Sequence, residues 1–160
     1  MQGPQTRSDD TQILEKCREI ELLSKQLYLF FADLYAADAD VRALWMKTAD
    51  EEQHHADHFT LALKMKKSLS MTLHIDMQRA VFITGELEKL LHKFESSPPK
   101  LVDALATAIK LENYLADLHL ACVASFEDQS FKNMFSAMMA ADQQHLARLE
   151  AALNSINGAE

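Results

Sequence analysis

The chain has 160 residues, a formal net charge of −8, and only three Gly, three Pro and two Cys. That length suffices for one domain with a full core, and the acidic balance excludes a nucleic-acid groove or an anionic membrane surface as partner. No apolar run reaches the roughly 18 residues of a membrane-spanning helix, and residues 1–10 lack the basic and apolar regions of a secretory signal, so a soluble cytoplasmic protein is expected.

Strong helix formers dominate the composition, and the expected fold is all-α. Residues 1–10 read as a polar, flexible tail containing Gly3 and Pro4, and residues 11–157 as a single bundle. Asp10 or Thr11 can cap a first helix running to about Ala37. Asp38-Ala39-Asp40 makes a tight connection to a second helix, from about Val41 to Ser68. A long crossover follows over 70–99. Its middle, Asp76 to Phe94, has the helical spacing of Val81, Leu87, Leu90, Leu91 and Phe94, with Gly85 as a weak point, and Ser96-Ser97-Pro98-Pro99 ends it. A third bundle helix is expected over about Lys100 to Phe126, a turn at Glu127 to Ser130, and a fourth helix over about Phe131 to Ile156. Two short connections and one long crossover with an additional helix give the order of a ferritin-like four-helix bundle; a cytokine-type bundle needs two long crossovers.

The polar residues fall where the core should be. At about 100° per residue, Val41, Trp45, Thr48, Phe59, Ala62 and Leu63 form an apolar stripe on the second helix, and Glu52 and His55 lie inside it. Glu112 sits in the stripe of Leu101, Leu105, Ala108, Leu115, Val123 and Phe126 on the third helix. Glu21 sits among Leu14, Cys17, Tyr28, Phe31, Ala32 and Tyr35 on the first. His145 lies among Met134, Met138, Ala141, Leu149, Ala152 and Ile156 on the fourth, with Asp142 at the edge. An unpaired buried carboxylate costs several kcal/mol, and four together repel one another. No Lys or Arg occupies the centre of these stripes, so bound cations are the simplest compensation.

With seven His and 24 acids in 160 residues, chance supplies about one acid-x-x-His pair. The chain has three: Glu51/His54, Glu52/His55 and Asp142/His145. Face analysis removes the first, because His54 lies off the stripe. Glu21 and Glu112 are 91 residues apart, Glu52 and Asp142 are 90 apart, and His55 and His145 are 90 apart. The same three-part pattern therefore occurs twice, once per helix pair. It matches the di-iron arrangement of one Glu from each of two helices plus an acid-x-x-His from each of the other two. Residues three apart share a helix face, and carboxylates with imidazoles suit iron, with manganese or zinc as substitutes.

Glu21-x6-Tyr28-x-Phe30-Phe31-Ala32 and Ala49-Asp50-Glu51-Glu52-Gln53-His54-His55-Ala56 resemble the first helix pair of rubrerythrin-like proteins of the ferritin family. Ala108-Ile109-Lys110-Leu111-Glu112 and Met138-Met139-Ala140-Ala141-Asp142-Gln143-Gln144-His145 resemble the second, so the likeness covers about residues 13–153. It implies two iron ions, with Glu52 and Asp142 as the acids of the paired motifs, His55 and His145 as terminal ligands, and Glu21 and Glu112 as the lone helix carboxylates. It also implies oxidoreductase chemistry on dioxygen or hydrogen peroxide, of ferroxidase or peroxide-reducing type, fed by an external electron donor. Three departures stand out. Asp142 replaces the usual Glu, Leu115 replaces a further Glu of the peroxidases, and no rubredoxin domain is present.

Tyr28 and His119 lie seven residues after Glu21 and Glu112, and are expected to hydrogen-bond to the ligands; the plainer reading is core packing. Cys17 and Cys122 read as small core residues, and His58, His74 and His92 as solvated. Leu23, Phe30 and Leu34 form a second face of the first helix, suited to the crossover helix or to a homodimer interface. Two function classes follow: a di-iron redox enzyme, or a non-enzymatic metal-binding, storage or scaffold bundle. Catalytic turnover separates them.

Overall fold

The computed structural model describes residues 7–65, 72 and 74–158, which form five α-helices and no strand. These are α1 (Arg7–Leu34), α2 (Ala39–Met65), α3 (Met77–Ser96), α4 (Leu101–Ser125) and α5 (Gln129–Asn157). α1 begins at Arg7, ahead of the expected caps Asp10 and Thr11, and residues 1–6 of the expected tail lie outside the described residues. The same holds for 66–68, the expected end of the second helix.

Aspartates start three of the helices by accepting from otherwise unpaired N–H groups. Asp38 Oδ1 takes the N–H of Asp40 at 3.0 Å and of Val41 at 3.1 Å. Asp76 takes Gln78 N–H at 3.0 Å, and Asp128 takes Phe131 N–H at 3.1 Å. α3 runs unbroken through Gly85; its buried Ala80, Ile83, Leu87, Leu91 and Phe94 supply packing that outweighs the glycine's poor helix propensity.

Facing pairs give the helix directions. Tyr28 meets Glu112 and Glu21 meets His119, so α1 and α4 are antiparallel, with facing residue numbers summing to 140 in both pairs. Glu51 meets Arg148 while Phe59 meets Phe135, so α2 and α5 are antiparallel too. The bundle therefore cycles α1, α2, α5, α4. Since α2 and α4 run the same way, their connection must return along the bundle. The 20-residue α3 does this, spanning about 30 Å, and it packs along α1, with Phe94 at 5.8 Å from Phe31 between ring centres.

Two aromatic clusters bracket a polar layer. On one side Trp45 stacks on Tyr28 at 5.7 Å and meets Phe31 at 4.8 Å. On the other, Phe135 stacks on Phe126 at 5.0 Å and meets Phe59 at 5.3 Å. The stripe expected on the last helix is corrected here: Phe131 and Phe135 are buried with Met138 and Leu149, while Met134, Ala141, Ala152 and Ile156 are half-buried. The rings displace the stripe because they fill the space between α4 and α2. Among the described residues no helix is long and apolar enough to cross a membrane.

Candidate metal centre

Glu21, Glu52, His55, Glu112, Asp142 and His145 are all buried in the polar layer, joined there by His119. Two clusters offer convergent ligand atoms: Glu21, His55 and His119 in one, and Glu52, Glu112 and His145 in the other, each set lying within 4.8 Å of one another. Glu52 faces both. Its Oε2 lies 3.6 Å from His55 Nδ1, and its Oε1 lies 3.7 Å from His145 Nδ1. His55 Nδ1 is also 3.7 Å from Glu21 Oε2, and His145 Nδ1 is 3.5 Å from Glu112 Oε2. These gaps are too long for hydrogen bonds. They lie at or just above the upper end of the spacing of neighbouring ligand atoms around one ion, since bonds of about 2.1 Å opened to 90–120° separate them by roughly 3.0–3.6 Å.

The atoms facing these gaps lack hydrogen-bond partners among the described residues: Glu21 Oε2, both oxygens of Glu52, His55 Nδ1, Glu112 Oε2 and His145 Nδ1. A native core rarely tolerates so many orphaned polar atoms in one place. The second oxygens of the two lone glutamates are held from outside. Tyr28 Oη donates to Glu112 Oε1 at 2.6 Å. His119 lies between two acids, with Nε2 at 2.5 Å from Glu21 Oε1 and Nδ1 at 2.6 Å from Asp142 Oδ2. Tyr28 and His119 are 91 residues apart, so the repeat extends to the groups that support the lone glutamates, each reaching across to the other helix.

Glu51 is a residue that sequence reasoning set aside with His54. His54 is exposed, but Glu51 turns toward α5, where its Oε2 lies 2.5 Å from both His145 Nε2 and Arg148 Nη2. A carboxylate on the outer nitrogen fixes the ring orientation and leaves Nδ1 for a ligand. The missed signal was Arg148, one turn after His145 on the side facing Glu51. Asp142 belongs to neither cluster: Oδ2 is engaged by His119, and Oδ1 has no hydrogen-bond partner among the described residues. His58, expected to be solvated, is half-buried, and its imidazolium is disfavoured by burial and by His55 and His54.

The titration pattern reflects this crowding. Burial raises the Glu52 carboxyl well above its usual value, and the charges of Glu112 and Glu21 push it further. Burial alone would lower His119, but the Glu21 charge and the hydrogen bonds to Asp142 and Glu21 outweigh it and push the imidazole up to about 10. His145 likewise rises to about 9, burial being outweighed by its contacts with Glu112 and Glu51. For Glu21, burial is outweighed by the His119 charge and by hydrogen bonds, and its pKa falls well below the usual range. Without metal, the crowding thus favours the protonated forms of Glu52, His119 and His145. The ligand types are carboxylate and imidazole without thiolate, a set suited to iron, manganese or zinc.

No family model, curated protein or solved structure matches this chain.

Proposed function

We propose that this chain is a di-iron carboxylate protein that reacts its metal pair with dioxygen or hydrogen peroxide, as the resemblance to rubrerythrin-like proteins implies. The observation that carries the metal reading is the convergence of orphaned buried oxygens and Nδ1 atoms on two adjacent points sharing Glu52. Carboxylate-rich coordination supports the choice of iron, and a bound iron pair supplies two electrons to an oxidant.

The protein's own part is positional. Glu52 offers one oxygen to each point, Glu21 with His55 completes the first, and Glu112 with His145 completes the second. Tyr28 fixes Glu112 through its phenol, which burial and the Glu112 charge keep protonated as a donor. Glu51 orients His145, and His119 orients Glu21. The aromatic clusters keep bulk water from both ends of the layer, so the charges inside act at low dielectric. Leu115 is fully buried at the position where rubrerythrin peroxidases carry a further glutamate, which favours ferroxidase-like chemistry over their full peroxidase cycle.

The test is anaerobic loading with ferrous iron, then mixing with dioxygen or peroxide while ferric absorbance is followed. Oxidation faster than for free ferrous ion, repeated on re-reduction, is expected. Oxidation at the free-ion rate contradicts the redox reading and leaves a storage or binding role.

A further inference from the structure

Cys17 and Cys122 are both fully buried free thiols, on α1 and α4 respectively. The antiparallel register places them opposite each other, because facing residues of these helices sum to 140 and this pair sums to 139. The two thiols are close enough for Cys17 to act on the titration of Cys122. Cys17 lies one turn before Glu21, and Cys122 one turn after His119, and those two residues are themselves in contact at 2.5 Å. The dithiol therefore abuts the metal centre through the helix turns that carry it. Neither sulfur belongs to a ligand cluster, so metal binding leaves both thiols uncommitted.

We propose that Cys17 and Cys122 form a buried two-electron donor that closes to an interhelical disulfide when peroxide is reduced at the adjacent metal centre. The proposal rests on the metal reading above. In the balanced step two S–H bonds break and one S–S bond forms. Two electrons pass to one hydrogen peroxide, its O–O bond breaks, and the two thiol protons complete two waters. Burial holds the Cys122 thiol well above its usual pKa, with the Cys17 contact adding to it. Such a thiol resists unassisted oxidation, so oxidation should depend on the neighbouring centre. A disulfide needs Cα atoms within about 7 Å, and closing the bond fixes α1 to α4 beside the site.

The experiment uses the full chain, with iron content measured first. Iron-loaded protein is given stoichiometric peroxide, denatured with an alkylating agent, and mapped by mass spectrometry. The expected result is a Cys17–Cys122 cross-linked peptide, with the intact mass reduced by two hydrogens and neither thiol alkylated. Metal-free protein treated alike should keep both thiols, and Cys17→Ala and Cys122→Ala should each bind iron normally while consuming about half as much peroxide per loaded chain in a single turnover. Loaded protein that consumes peroxide with both thiols still alkylated overturns the dithiol proposal and leaves the metal reading standing. Equal thiol oxidation in metal-free protein also overturns it, since the coupling is then absent. Protein that takes up no iron overturns the metal reading and this proposal with it.

Discussion

Glu51→Gln is the substitution that separates an organised metal centre from a chance gathering of buried acids. Glu51 lies outside both ligand clusters and touches the site only through His145 Nε2, at 2.5 Å, while its other contact is Arg148 at 2.5 Å. Glutamine keeps the shape but removes the charge that holds the ring and balances Arg148. Losing such an outer partner typically lowers metal affinity 10–100-fold, or about 1.4–2.7 kcal/mol. The effect should fall on the Glu52/Glu112/His145 point alone, leaving the Glu21/His55/His119 point near wild type. Fold stability should change by about 1 kcal/mol or less, because the Glu51–Arg148 pair is partly solvated at 22 % and 27 % exposure. Calorimetric titration with manganese(II) at fixed pH resolves the two affinities, and Glu150→Gln, at an exposed position of α5, controls for the loss of one negative charge. Two ions bound by Glu51→Gln at wild-type affinities would refute the assignment of His145 as an oriented ligand.

Three further outcomes follow from the same geometry. Metal-free protein should lose stability as pH rises, because His119 and His145 are raised to about 10 and about 9 when folded against about 6.5 unfolded. Their contribution is complete below pH 6.5 and lost through pH 9–10, at up to about 1.4 kcal/mol per pH unit for each proton; a thermal midpoint that rises between pH 6.5 and 9 contradicts this. Asp142→Glu should preserve or tighten metal binding, whereas Asp142→Ala, which strips His119 Nδ1 of its 2.6 Å partner, should weaken it; unchanged stoichiometry and affinity in Asp142→Ala would show that the residue serves neither as ligand nor as support. Phe135→Ala empties a fully buried site between Phe59 and Phe126 and should cost about 3–5 kcal/mol in denaturant unfolding, with a loss under about 1 kcal/mol arguing against the packing described.

The helices were legible because propensity, caps and prolines agree along the chain, and the in-facing acids because each interrupts an apolar stripe. A 90-residue repeat also pairs Glu52 with Asp142 and His55 with His145. What one helix's periodicity does not carry is contact between helices. Glu51 was set aside because its partner His54 lies off the stripe of α2, yet it meets α5 through Arg148. Phe135 was hidden for a related reason, since a helix touching two neighbours buries a wider face than a single stripe. Asp142 shows the limit of the repeat itself. It occupies the position equivalent to Glu52, but its shorter side chain is taken up by His119, leaving Glu52 to face both points.

If the orphaned atoms around Glu52 are the ligands of two ions, the metal-free protein must take up both. Equilibrium titration of metal-free protein with ferrous iron under anaerobic conditions, with bound metal counted per chain, tests it most directly. Two ions per chain are expected, falling to one or none in Glu52→Ala. Binding of well under one ion per chain, or two ions bound with unchanged affinity by Glu52→Ala, would contradict it.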